Sequence, residues 1–150
     1  MDYSKLAREI IEKNQYLVLS SPWISILCYA YDEEFNFYFI SMPNSKHCTN
    51  ISLNNNVSFA IYDSHQNFGE GVGLQIEGKV SLVPLSETPQ TIKLYLSRSW
   101  PYKNSQMEIY LKGFQKVLKD QSYRAYKISP TKIWMNDPKQ LIDVRVEVKL

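Results

Sequence analysis

The sequence is poor in the residues that define several common classes of site. It has two cysteines, Cys28 and Cys48, and two histidines among 150 residues. These four side chains lack the spacing of a metal site, and two cysteines are too few for a disulfide scaffold. Two unpaired thiols are typical of cytosolic proteins, so we expect free cysteines and a cytoplasmic location.

Long apolar runs and an excess of one charge are also missing. No stretch approaches the ~20 apolar residues that a membrane-spanning helix needs, and the first residues do not begin a signal peptide. Lysine and arginine total 17 against 15 acidic residues, a formal net charge of +2. We therefore expect neither a membrane nor a nucleic acid as partner.

Aromatic residues and short alternating segments are abundant instead. The 11 tyrosines, 6 phenylalanines and 3 tryptophans favour strands and flat ligand pockets. Periodicity predicts helices over residues 3–14, 45–53, 88–97 and 105–118, with Asp2, Ser45, Ser86 and Ser105 as their N-caps. Alternation predicts strands over residues 16–20, 23–31, 35–40, 57–62, 72–83, 123–128, 132–136 and 144–148.

These elements predict one mostly-β domain over residues 1–150. Strands joined by short turns are antiparallel, and Gly78 inside the longest strand indicates a bulge or a bend. The expected architecture is a six- to eight-stranded antiparallel split β-barrel with short peripheral helices.

The segment over residues 37–51 is the most informative about chemistry. It runs from a strand through a loop into a helix start, where free N–H groups and the helix dipole favour an anion. Ser45, Lys46 and His47 add a hydroxyl, a cation and a titratable donor at that point. These residues fit a phosphate cradle, and they also fit an ordinary capped surface helix with a solvated lysine.

Asn44-Ser45-Lys46-His47 and its neighbours resemble the pyridoxamine 5'-phosphate oxidase-like, FMN-binding split-barrel family. More narrowly, the chain resembles the small bacterial members of unassigned substrate. The resemblance covers nearly the whole chain, in the same order, through residues 29–32, 37–41, 44–51, 60–66, 71–78, 126–130, 133–134 and 143–148. No single motif is diagnostic, but their succession is specific.

The resemblance implies an FMN cofactor and a homodimer whose two subunits form the flavin site together. In the family, two adjacent basic residues after a serine hold the phosphate, one strand end contacts ribityl and phosphate, and another strand runs along the flavin ring. The cofactor-binding residues carried over in this way are Ser25, Ile26, Leu27, Ile40, Ser41, Ser45, Lys46, His47, Asn50 and Gln75. No catalytic side chain is implied.

Three departures from the family pattern qualify this prediction. The link over residues 20–23 is shorter than the usual hairpin, which could reshape the pocket mouth, and Ile26 stands where relatives often have proline. His47 stands where the true oxidases have lysine, so phosphate affinity should fall as the imidazole loses its proton. The C-terminal Trp and Arg pattern of the true oxidases has no counterpart, which argues against oxidation of pyridoxamine phosphate.

Three functions stay open at this stage. The first is an FMN-dependent oxidoreductase of unknown substrate, the second a non-catalytic flavin or haem binding or sensor protein, and the third a cofactor-free dimeric interaction module. Residues 69–73 enter a strand and predict a hairpin, not a phosphate loop. Asp63, Ser64 and His65 share one loop, which rarely gives triad geometry. Residues 100–102 are expected at the rim of the flavin pocket.

Overall fold

The computed structural model describes residues 1–98, 112–115, 119–140 and 144–150. Its helices are α1 (Tyr3–Lys13), α2 (Lys46–Leu53) and α3 (Thr88–Ser97). Its strands are β1 (Tyr16–Ser20), β2 (Ile24–Cys28), β3 (Ala30–Tyr31), β4 (Phe37–Ser41), β5 (Asn56–Tyr62), β6 (Gly73–Leu82), β7 (Arg124–Asn136) and β8 (Arg145–Glu147). Residues 112–115 are helical. The predicted cap at Ser105 and the predicted rim at residues 100–102 lie outside the described residues.

The strands form one antiparallel sheet in the order β2-β1-β5-β6-β7-β4-β3, and β8 pairs with β7. The edge strands β2 and β3 are separated in the chain by Tyr29 alone. A sheet whose two edges are joined by one residue must curl until those edges meet. The predicted antiparallel split barrel is therefore confirmed.

The predicted strand over residues 23–31 is wrong in one respect, because the structure divides it at Tyr29. The part before Tyr29 pairs with β1, and the part after it pairs with β4. Tyr29 is fully buried, and its hydroxyl donates to the carbonyl oxygen of Ile11 at 2.7 Å. The chain thus leaves one sheet edge and begins the other around an anchored side chain.

The two strands predicted over residues 123–128 and 132–136 are instead one strand, β7. The β6–β7 register shifts between Glu77 and Gly78, where Pro130 stands opposite. Proline lacks an N–H for the ladder, and a bulge tolerates that loss. A Cβ on Gly78 would lie 2.9 Å from the Ser129 carbonyl oxygen, so this bend requires glycine.

Two of the predicted caps are confirmed and one is wrong. The Asp2 side chain accepts from the Lys5 N–H at 3.1 Å, and Ser45 caps α2. The N-cap of α3 is Glu87, not Ser86, and its side chain makes no capping hydrogen bond. Apolar residues of α1 and of the inner sheet face form the main core. Both cysteines are free, as expected.

None of the helices in the described part of the chain combines the length and the apolar character needed to cross a membrane.

Candidate functional site: a polar cluster at the start of α2

Three serines surround one imidazole where the chain enters α2. Nε2 of His47 lies 2.8 Å from Ser41 Oγ and 3.2 Å from Ser45 Oγ, and Nδ1 lies 3.2 Å from Ser25 Oγ. The Ser41 and Ser45 hydroxyls are 3.4 Å apart. We call Ser25, Ser41, Ser45 and His47 the polar cluster.

The polar cluster spans the opening of the curled sheet. Ser25 belongs to the edge strand β2, and Ser41 ends β4, which is next to the other edge. The loop after β4 then brings Ser45 and His47 back over the gap. His47 therefore bridges two parts of the sheet that do not pair with each other.

The chemistry of the polar cluster suits an anion. Hydroxyls rotate, and imidazole can donate from either nitrogen, so each group can turn an N–H or O–H toward an added acceptor. The Ser45 hydroxyl also accepts from the Cys48 N–H at 3.4 Å, which leaves other N–H groups of the first turn of α2 free of side-chain caps. No carboxylate forms a described hydrogen bond or ion pair with the cluster.

Lys46 stands beside the cluster on an aromatic surface. Its Nζ lies 3.7 Å from the centroid of the Trp23 ring, and both side chains are exposed. A cation–π contact of this kind contributes roughly 0.5–1 kcal/mol at an exposed site. Trp23 was not among the predicted site residues. The available signal was its position directly before β2, the strand expected to run along the flavin.

Cys48 lies behind the cluster, with its thiol almost fully buried. Burial raises the pKa of this thiol, but hydrogen bonds with His47, Ser45 and Tyr126 outweigh burial and lower the pKa overall. Burial and the neighbouring Cys48 in turn raise the pKa of Tyr126. The hydrogen bonds at the start of α2 thus favour the ionised form of the Cys48 thiol.

The structure places the other residues of the predicted site elsewhere. Leu27 is buried in the main core, and Ile40 packs against the small apolar cluster of Ala30, Ile92 and Tyr95 beneath α3. Asn50 lines an open groove of about 570 Å³ between α2 and the β1–β2 turn. Four of the ten predicted residues therefore meet in the polar cluster, and Lys46 lies at its rim.

Ile26 and Gln75 lie on the outer face of the sheet. The register aligns Ile26, Val18, Ala60, Gln75 and Trp134 in one row across five strands. Ile26 is 71% exposed, and a groove of about 410 Å³ runs between Val18 and Trp134. Arg145 Nε donates to Gln75 Oε1 at 2.8 Å. This row is an apolar surface with one polar group near its centre.

The loop between β5 and β6 shows no triad. His65 is exposed, and its Nδ1 and backbone N–H lie 3.1 and 2.9 Å from Asp63 Oδ1. The backbone hydrogen bond and then the ring contact lower the pKa of the Asp63 carboxyl. This is a local turn around Asp63. The described residues also contain no group of three or more His, Cys, Asp or Glu side chains that could hold a metal ion.

Comparison with solved structures agrees with the fold. No protein-family model and no curated protein matches the chain. A candidate pyridoxamine 5'-phosphate oxidase from Listeria innocua is 20% identical, with a TM-score of 0.61 over 88% of this chain and 96% of that one. An FAD-binding protein from Mesorhizobium loti is 15% identical, with a TM-score of 0.63 over 88% and 92%.

The haem-storage protein HutZ from Vibrio cholerae is 14% identical to the chain. Its TM-score is 0.64, over 89% of this chain and 94% of that one. The chain has the split-barrel fold of the pyridoxamine 5'-phosphate oxidase-like proteins.

Proposed function

We propose that the chain binds FMN with the phosphate at the polar cluster. The observation that carries this proposal is the convergence of Ser41 Oγ, Ser45 Oγ and His47 Nε2, which lie within 2.8–3.4 Å of one another at the start of α2. Phosphate oxygens accept strong hydrogen bonds from hydroxyl, imidazole and backbone N–H donors. Lys46 adds a positive charge at the rim.

The residues present fit a phosphate monoester better than a neutral ligand. The cluster combines donors from β2, β4 and α2, and its described contacts include no competing carboxylate. Ile24 and Ile26 on β2 are 65% and 71% exposed, so this strand offers an apolar surface to a flat ring. FMN, when bound, supplies hydride or electron transfer, and the chain supplies binding and orientation.

A homodimer is part of the proposal. Tyr16, Val18, Ile24 and Ile26 are exposed on β1 and β2, and the outer groove continues this surface toward Trp134. Contiguous exposed apolar surface is typical of protein–protein interfaces. A second copy on this face would cover it and bring Gln75, which lies in the same row, close to the cofactor of its partner.

The proposed activity is that of an oxidoreductase of unknown substrate, with the cytoplasm as the expected location, and the similar structures support the oxidoreductase part. The names of two of them refer to pyridoxamine 5'-phosphate oxidase and to FAD binding. A flavin-centred reaction needs no acid or base from the protein, which is consistent with the absence of a triad around His65.

Non-catalytic binding of a flavin or of haem is the second candidate. Two similar structures are a haem-storage protein and a haem-binding protein from Mycobacterium smegmatis. In the present chain both ring nitrogens of His47 contact serine hydroxyls, so this imidazole would have to leave its partners to coordinate iron. The polar cluster therefore favours the flavin.

The visible absorbance spectrum of the protein, purified without added cofactor and then titrated with FMN, tests the proposal. Flavin bands near one equivalent per chain are expected, and a hydride or electron donor should bleach them if the protein is an oxidoreductase. A haem spectrum would establish the second candidate. A colourless protein that does not bind added FMN would overturn both candidates. The cofactor-free dimeric interaction module would then be the remaining function.

A further inference from the structure

β7 begins with a basic residue on the sheet face that carries the polar cluster. The β4–β7 register pairs Arg124 with Ser41. Directly paired residues of antiparallel strands project from the same face. The pair two positions further along follows this rule, because Phe39 and Tyr126 stack in the main core with ring centroids 5.0 Å apart. Arg124 is thus on the inner face, at the end of the sheet where α2 begins.

The guanidinium of Arg124 has few hydrogen-bond acceptors in the described part of the structure. Its Nη2 lies 3.4 Å from the Val83 carbonyl oxygen, which is a long hydrogen bond. Its Nε is buried and has no hydrogen-bond partner. Burying an N–H without an acceptor is costly, and buried polar groups in folded proteins nearly always have partners. An unsatisfied donor of this kind indicates a missing acceptor.

The charge of Arg124 acts on the residues behind the polar cluster. Burial and Cys48 raise the pKa of Tyr126, and the positive charge of Arg124 opposes them. Tyr126 hydrogen-bonds with Cys48, which is in the first turn of α2. Arg124 therefore acts electrostatically on a residue that contacts the helix start, although about 80 residues separate it from Ser45 in the chain.

We propose that Arg124 is an anion-binding residue of this site, whose guanidinium contacts the phosphate group of the bound ligand. The inference rests on the proposed flavin site. A guanidinium presents its N–H groups in a rigid fork that matches two phosphate oxygens, and it stays charged at every physiological pH. Arg124 would thus supply the permanent charge that His47 does not.

The test compares FMN with riboflavin, which has the same ring and ribityl chain but no phosphate. In Arg124→Gln, the Kd for FMN should rise about 10- to 100-fold, as expected for loss of a charge-assisted contact. The Kd for riboflavin should stay within about twofold. Arg124→Lys keeps the charge without the fork and should show a smaller loss for FMN.

Lys127→Gln is the matched control, because it removes the same charge from the same strand. Lys127 pairs with Tyr38 on the opposite face, and its Nζ lies 5.9 Å from that ring. The Lys127→Gln variant should bind FMN with the same affinity as the wild type. Circular dichroism and thermal unfolding will show whether each variant folds. If Arg124→Gln does not fold, Arg124→Lys takes its place in the comparison of FMN with riboflavin.

Three results separate the two proposals. Unchanged FMN affinity in the folded Arg124 variants overturns the role of Arg124 and leaves the flavin site intact. An equal loss for FMN and riboflavin assigns Arg124 a structural role and likewise overturns the inference. A wild-type protein that binds neither compound overturns the proposed function itself.

Discussion

The helices α2 and α3 are eight and ten residues long, yet they use their polar groups differently. Around α2, the side chains of Ser25, Ser41, Ser45 and His47 contact one another. Around α3, the polar side chains contact backbone carbonyls. The Tyr95 hydroxyl lies 2.8 Å from the Tyr38 carbonyl oxygen and 3.2 Å from that of Cys28.

Arg98, just after α3, follows the same rule. Its guanidinium donates to carbonyl oxygens around the end of α1, including those of Ile11 and Asn14, and it also donates to Tyr29. Carbonyls of a folded chain are fixed, so these bonds hold elements together. Hydroxyls and imidazoles whose partners are mainly one another can exchange those contacts for contacts to a ligand. Whether a polar side chain near a helix end can bind a ligand therefore depends less on its position than on whether its present partners are side chains or backbone carbonyls.

The largest expected effect concerns ligand binding at α2. In the double variant Lys46→Ala/His47→Ala, two charge-assisted contacts to phosphate are lost, at roughly 1.5–3 kcal/mol each. We expect FMN affinity to fall at least about 100-fold if both contacts are fully made, and at least about tenfold if only one is. Lys93→Ala, at an exposed position of α3, is the control and should bind FMN as the wild type does. Equal affinities in all three proteins would contradict the distinction between the helices.

The next effect concerns stability at α3. Tyr95→Phe removes a buried hydroxyl and leaves the Tyr38 carbonyl without that donor, so the free energy of unfolding should fall by about 1–2 kcal/mol. Chemical denaturation measures this change, with the exposed Tyr16→Phe as control. FMN affinity should be unaffected. A variant as stable as the wild type would show that the α3 contacts are dispensable.

A smaller difference is expected between the two caps. Ser45→Ala removes the hydroxyl that accepts from the Cys48 N–H and should lower the free energy of unfolding by about 1 kcal/mol. Glu87→Ala removes no capping hydrogen bond and should change stability by no more than about 0.5 kcal/mol. Denaturant midpoints of both variants decide the matter, and a larger loss at Glu87 would reverse the comparison.

The finest test uses the two thiols, one in each region. Burial raises the pKa of Cys28 to about 11, whereas hydrogen bonds around Cys48 overcome burial and lower its pKa. In Cys28→Ser and Cys48→Ser variants, the ultraviolet absorbance of the remaining thiolate should appear at a lower pH for Cys48 than for Cys28. Titration in the opposite order would contradict the assigned environments.

The same shifts give the sign of the pH dependence. The folded-state pKa of Cys28 is above its unfolded value, so its protonated form stabilises the fold below the ordinary thiol pKa. That stabilisation is lost as the pH rises toward 11. The folded-state pKa of Cys48 is below its unfolded value, so ionisation of this thiol adds stability as the pH rises.

Much of the fold could be predicted because local signals agree with it. Asp2 and Ser45 cap helices where the sequence predicts caps, and Gly78 marks the bulge. The division at Tyr29 could not be predicted, because residues 23–31 are uniformly strand-forming and only long-range pairing tells β2 from β3. Continuity through Pro130 was missed because a proline ordinarily ends a strand, and only the pairing with β6 shows that β7 runs past Pro130 with one unpaired residue, Thr131.

The polar cluster is predictable only in part. Ser41, Ser45 and His47 are close in sequence, and a family resemblance points to them. Ser25 joins them through the curl of the sheet. The position of Arg124 opposite Ser41 could not be predicted, because only the β4–β7 register gives it. The sequence did contain a signal for Arg124. It alternates with Tyr126 and Ile128 along one strand, so its side chain is expected on the same inward face as theirs.

The order of strands in the sheet also bears on how the molecule assembles. The β1–β2 pair forms between neighbouring segments, whereas β4 and β7 must find each other across about 80 residues. The entropy of closing so long a loop is recovered only after the strands have paired, so sequence-distant pairings slow folding. We therefore expect the step that completes the inner face beside Ser41 to be a late one, because a nascent chain cannot form this pairing until residues 124–128 have been synthesised.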